Sequence, residues 1–193
     1  MKKFELTNEF ITNMFGTKLF RIRALVEFGD VEAGELGGYV EKESNLGHDD
    51  NAWVYGDAQV SGDALVYGNA RVYGNAWVYG NAWVYGDAQV SGDAMVCGDA
   101  QVSGNARVSG DKDYAYAHGF GSCNRTTTFF RLKDGDVGVR CGCFYGTLAQ
   151  FRDNVCETHG ETKKAQEYLM LADLMELRFE EDENEVGNRK YVE

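Results

Sequence analysis

Not one proline stands in the 193 residues. No turn is therefore fixed by a ring-locked φ, and the 24 glycines carry the turn chemistry. Long apolar runs are also missing, and nothing approaches the roughly 18 residues of a membrane-crossing helix. The opening MKKFELTNEFITNMFG has neither a continuous apolar segment nor a small-residue cleavage site, which predicts no signal peptide. Basic charge is scarce, with 19 Lys and Arg against 31 Asp and Glu. A net charge of −12 argues against binding nucleic acid or a membrane through a broad basic surface. Five cysteines at irregular spacing make no disulfide framework and predict a reducing, cytoplasmic setting. The one dense acidic run, EEDENE (180–185), reads as a solvated tail or helix end.

What the chain has in abundance is a phrase of six residues. Valines recur from Val54 to Val108, each preceded two positions earlier by alanine and three earlier by Asn or Asp, in ten unbroken hexads over 51–110. Alternation along a short strand points valine and alanine inward and their neighbours outward. Glycine and Asn/Asp tolerate the positive φ of a tight corner. Three strand–corner units close a triangular coil of about 18 residues, and stacked coils satisfy one another's backbone groups at about 4.8 Å spacing. Val40 and Leu46 are also six apart, with an insertion at Gly47–Asp50 before Val54. The spacing predicts four coils, a prism about 20 Å tall. Asp57, Asp63, Asp87, Asp93 and Asp99 recur at corners, but Asn interchanges with them, which suits a corner role better than a calcium site.

The outward positions carry Trp53, Tyr55, Tyr67, Tyr73, Trp77, Tyr79, Trp83 and Tyr85, on all three sides of the early coils. An aromatic belt of this size predicts cover, either from another subunit or from the terminal modules. Before the repeat, residues 1–40 form a β-rich cap, with TKLFRIRALVEFG (17–29) as a short hairpin over the first coil. After it, 111–193 form an α+β module. TTTFFRLK, Asp134-Gly135 and DVGVRCGCFY read as a hairpin with Val137, Val139, Cys141 and Cys143 on one face. Thr147 and Gln150 make a capping box for a first helix that Gly160 stops, and a second helix spans about 162–179. The module thus reads as ββαα.

Candidate chemistry is thin. Residues 51–110 hold no His and no Lys, so a general base would come from His48 in the register break or His118 beyond the last hexad. Cys141-Gly-Cys143 with Cys156-Glu-Thr-His159 is a set of zinc-ligand types, although plain buried thiols would serve the same positions. Arg125, Arg131 and Arg140, beside Thr126–Thr128, offer a site for an anion or small ligand; ordinary surface arginines are the alternative. That site would lie in a segment, 111–160, with six acidic and six basic residues in an otherwise acidic chain. No catalytic residue, metal or cofactor is assigned.

The Val-x-Gly-Asx-Ala-x phrase resembles the hexapeptide-repeat, left-handed parallel β-helix family. That resemblance implies a mainly β solenoid and self-association, with a trimer favoured. It also raises an acyl- or nucleotidyltransferase as the alternative function. Together with FRIRAL, GELGGYVEKESNL, TTTFFRLKDG, CGCFYGTL and ETHG, the chain is similar to small proteins of prophages and gut phages. The resemblance implies a non-catalytic, oligomeric binding or scaffold protein of phage or prophage origin. It would be a counter-defence factor that masks a host protein or holds a nucleotide signal in the host cytoplasm.

Overall fold

A computed structural model describes residues 2–180. Beyond Glu180, the EEDENE segment lies outside the described residues. The chain opens with β1 (Phe4–Thr12), β2 (Lys18–Ala24) and β3 (Leu36–Val40). Ten two-residue strands follow: β4 (Trp53–Val54), β5 (Gln59–Val60), β6 (Leu65–Val66), β7 (Arg71–Val72), β8 (Trp77–Val78), β9 (Trp83–Val84), β10 (Gln89–Val90), β11 (Met95–Val96), β12 (Gln101–Val102) and β13 (Arg107–Val108). Strands three apart pair in parallel, so the solenoid has three faces: β3-β5-β8-β11, Leu46-β6-β9-β12, and β4-β7-β10-β13. Val40, Leu46 and Val54 thereby share a first coil, stacked on Val60, Val66 and Val72. Four coils result, and the mainly β fold is that of a β-solenoid.

The hexad valines and alanines are all buried, from Ala52 to Val108. Each valine removed from water contributes roughly 1.5–3 kcal/mol. The corner glycines, Gly56 through Gly104, lie at φ between +59° and +75°. A Cβ on Gly68 would also come within 2.9 Å of the Gly86 nitrogen in the next coil, so both conformation and space demand glycine there.

The Asn/Asp interchange is not free, contrary to the sequence expectation. On one corner Asn51 Nδ2 donates to Asn69 Oδ1 (3.1 Å), and Asn69 Nδ2 donates to Asp87 Oδ1 (3.0 Å). Elsewhere Asn75 donates to Asp93 and Asn81 to Asp99, each at 2.9 Å. Read at intervals of one coil, the corners run Asn51-Asn69-Asp87-Asn105, Asp57-Asn75-Asp93 and Asp63-Asn81-Asp99. No hexad aspartate stacks on another, and an amide always separates them.

Within the N-terminal cap the hairpin starts earlier than the sequence reading placed it. The hairpin is β1 with β2 rather than residues 17–29 alone, and β2 pairs antiparallel with β3. The polar pattern of FELTNEFIT hides β1, because every residue after Phe4 is half-buried or exposed. Strand β3 belongs to both cap and first coil. Its Gly37 and Gly38 are required by contact: a Cβ would meet Val54 O at 2.6 Å on the first and Ala58 O at 2.6 Å on the second. The insertion at 47–50 anchors this cap. Lys3 is buried and donates to Asp50 O (2.9 Å), Asp50 Oδ1 (3.3 Å) and Ala52 O (2.9 Å). Asp50 in turn accepts from the Gly68 nitrogen at 2.5 Å.

After the repeat come β14 (Tyr114–Phe120), β15 (Arg125–Arg131), β16 (Val137–Cys141) and β17 (Phe144–Thr147), then α1 (Leu148–His159) and α2 (Lys163–Phe179). The expected ββαα module is corrected on two counts. Tyr114–Phe120 is a strand that the sequence reading passed over, and DVGVRCGCFY turns at Gly142 (φ +59°) into two strands. Cys143 therefore stands in a turn and not on the Val137–Cys141 face. The result is a four-stranded antiparallel sheet in the order β14-β15-β16-β17 under two helices. The Thr147–Gln150 capping box is present, and Gly160 ends α1. One face of this sheet closes the last coil. Tyr114 Oη donates to Met95 O (2.6 Å), Thr128 Oγ1 accepts from Gln101 N (2.9 Å), and Phe130 enters the solenoid core.

The corner ladders carry a direct test. Asn81→Asp would stack three carboxylates and is expected to destabilise the fold by roughly 1 kcal/mol, with much of the loss recovered in high salt. Asn51→Asp, which stacks against an amide, should cost less. Thermal melts of the two variants measure the difference, and equal losses would contradict the ladder.

Candidate functional site

The chain's own terminal modules meet much of the aromatic belt. Trp53 is fully buried beneath Phe4 and Phe28, with ring centroids 6.1 and 5.3 Å away. Tyr55 Oη donates to Asp30 Oδ1 at 3.0 Å. Phe15, at the tip of the β1–β2 hairpin, packs on Trp77 (6.3 Å) and Tyr79 (5.5 Å). Tyr67 and Tyr85 stack on each other at 4.9 Å, and the Arg140 guanidinium lies over Tyr85. Tyr73 and Trp83 stay exposed, at 38% and 41%.

The two histidines weighed as bases are placed differently. His48 stacks on Phe4, accepts from the Lys3 nitrogen at Nδ1 (3.1 Å) and donates from Nε2 to Glu43 (3.0 Å). Both ring nitrogens are therefore engaged, and the lone pair a general base needs is held by a backbone N–H. His118 is exposed, with Nδ1 2.9 Å from Thr126 Oγ1.

The three arginines do not form one site. Register pairs Arg140 with Thr128 on the solenoid side of the sheet. Arg131 lies on the opposite face, where it donates to Phe179 O (2.7 Å) and stacks on the Phe179 ring, tying down the end of α2. Arg125 alone enters a cleft of about 510 Å³ between the sheet and α1. The same cleft is lined by Cys141, Cys143, His159, Ser122 and Tyr168, with Phe144 and Phe151 as apolar wall. Cys156, exposed on α1, is not among its lining residues, so the four candidate zinc ligands are not gathered. Among the described residues no three His, Cys, Asp or Glu side chains converge as a metal site.

Two glycines shape this cleft. A Cβ on Gly142 would stand 2.0 Å from Arg125 Nη1, and one on Gly121 would stand 2.0 Å from the Tyr168 ring. Both glycines sit at positive φ, +59° and +67°. Tyr168 is the hub of the floor. Its hydroxyl accepts from Ser122 N (3.0 Å) and lies 3.8 Å from the Cys141 thiol, which accepts from Thr127 Oγ1 at 3.2 Å. Burial pushes the Tyr168 phenol up, so it stays neutral and able to donate at neutral pH. His159 stacks on it at 5.8 Å. Asn154 and Thr158 of α1 complete the rim. The sequence reading put Tyr168 only within the second helix, about 162–179, and missed Ser122, Asn154 and Thr158. The turn cluster Gly121-Ser-Cys-Asn124 was the available signal, since it ends β14 and aims Arg125.

Tyrosines at the module junctions give a pH signature. Burial, then the Asp30 hydrogen bond, pushes Tyr55 up to about 12. The Cys97 contact, then burial, does the same for Tyr79, to about 12. Burial raises Tyr114 further. Because the folded-state values lie above the unfolded value of about 10, their contribution to stability is complete below that pH. It is lost as pH rises through the folded values. A tyrosinate absorbance titration should show a fraction of the 11 tyrosines ionising late and together with unfolding. A single step near pH 10 for all of them would contradict the packing.

The repeat itself has a counterpart among known proteins. Residues 58–72, 70–86 and 100–111 match the family described as YdcK beta solenoid repeat. No curated protein matches the chain significantly. The matched segments lie in the coils, and with their parallel stacking they make this chain a β-helix repeat protein.

Proposed function

We propose that the chain is a non-catalytic binding protein in which a rigid solenoid carries the C-terminal module. Its cleft would take a small ligand with a flat ring and an anionic group, of the nucleotide class. The carrying observation is the convergence of Arg125 with His159, Tyr168, Phe144 and Phe151 in one cleft. Arg125 supplies a permanent cation with forked donors for phosphate. The rings supply a wall for stacking, and Ser122, Asn154 and Thr158 supply neutral donors and acceptors for hydroxyls or ring edges. The engagement of both His48 nitrogens supports the non-catalytic reading over acyl or nucleotidyl transfer. The similarity to small phage and prophage proteins supports a counter-defence role, in which holding a nucleotide signal in the host cytoplasm would blunt the response.

Isothermal titration of the full chain with nucleoside monophosphates and the matching nucleosides tests the reading. A monophosphate should bind at least about tenfold more tightly than its nucleoside, and Arg125→Ala should remove that difference. Arg131→Ala, at the far end of β15 and outside the cleft, should leave it intact. Absence of binding by every monophosphate, or full binding by the Arg125 variant, would refute the assignment.

A further inference from the structure

Of the five cysteines, only Cys141 and Cys143 stand close in sequence, with a single glycine between them. They are also the only two that line the cleft. Gly142, at φ +59°, folds the chain back between them, from β16 into β17. Two successive Cα–Cα steps of about 3.8 Å, folded at such a turn, leave their ends roughly 5.5–6 Å apart. Disulfides close most often at that separation. The two thiols differ in access. Cys141 is half-buried, and its sulfur accepts from Thr127 Oγ1 at 3.2 Å and lies 3.8 Å from Tyr168 Oη. Cys143 is exposed. An outer thiol that a small reagent reaches, beside an inner one held in place, makes an attacking and a resolving cysteine. The same turn supports Arg125, because a Cβ on Gly142 would collide with Arg125 Nη1.

We propose, resting on the cleft as a site for an anionic ligand, that Cys141 and Cys143 are a reversible redox switch whose disulfide closes it. A small disulfide, such as oxidised glutathione, is the oxidant. The Cys143 thiolate attacks one of its sulfurs and expels a glutathione thiolate. The Cys141 sulfur then attacks the Cys143 sulfur of the mixed disulfide and expels the second glutathione. In sum the glutathione S–S bond breaks and the Cys141–Cys143 bond forms. Two electrons pass to glutathione, and the two thiol protons end on its two molecules. Bridging draws Cys143 toward Cys141 and reshapes the turn on which Arg125 rests, which takes the guanidinium from its place opposite the rings. A bond across so short and exposed a loop is of the easily reduced kind, which suits a switch better than a structural staple.

Equilibrating the full chain in glutathione buffers from fully reduced to fully oxidised, then alkylating and digesting it with trypsin, tests the switch. Cleavage after Arg140 and Arg152 leaves both cysteines in one peptide, 141–152. In oxidised buffer that peptide should escape alkylation and be lighter by two hydrogens, and dithiothreitol should reverse both changes. Isothermal titration over the same range should show nucleoside monophosphate affinity falling at least about tenfold. Cys143→Ser should abolish the bridge and the redox dependence, whereas Cys156→Ser, outside the cleft, should leave both. Two free thiols in the most oxidised buffer, glutathione that stays on Cys143, or a bridged chain that binds as tightly as the reduced one would overturn the proposal. A reduced chain that binds no monophosphate would refute the cleft assignment and with it the closing of the cleft, while the peptide mass still decides the bridge.

Discussion

Everything in this protein depends on one hydrogen-bond geometry, the parallel pairing of each two-residue strand with its equivalent one coil away. Trp77 N donates to Ala94 O and Tyr79 N to Val96 O, and the same pair of bonds recurs from Trp53 N to Ser91 N. Two residues cannot make a stable strand alone, because so short a segment gains too little against the entropy of ordering it. Repetition solves this only while the coils stay in register. Valine, alanine, glycine and the Asx corners each protect that register by a different means: burial, small volume, positive φ, and amide-to-carboxylate bonding between coils.

A solenoid leaves open strand edges at both ends, and the two terminal modules are the physical response. At the start, Lys3, His48 and Asp50 convert a two-residue insertion into an anchor, with every donor of the buried ammonium satisfied. At the end, Asp111, Tyr114 and Thr128 provide side-chain partners for the last coil. The C-terminal sheet uses its other face to hold α1 and α2, and this two-sidedness creates the cleft. Arg125 reaches that cleft because β15 begins at the sheet's margin, beyond the solenoid's cover.

The solenoid was legible in the sequence because its determinants are local and periodic. Even the early coil through Val40 and Leu46 follows from a spacing of six. The corner ladders were equally present at intervals of 18 but are visible only when Asn and Asp are compared one coil apart. The flanking modules were less legible. Strand β1 is masked by its polar face, β14 by the Ala-Tyr-Ala pattern after the last hexad, and the β16–β17 turn by cysteines that read as continuous strand. For the cleft, residue types pointed to Arg125, Cys141, Cys143 and His159, but not to which of them meet. That depends on Gly121 and Gly142, whose role is to leave room, and on sheet register, which sends Arg131 and Arg140 to opposite faces.

The central claim is that the four coils form one cooperative unit closed by the chain's own caps. Hydrogen exchange followed by mass spectrometry measures it most directly. The account predicts uniformly slow exchange of the paired coil amides from Tyr39 to Ser91, with the first coil as protected as the middle ones. Protection that declines stepwise toward either end of the solenoid would contradict it.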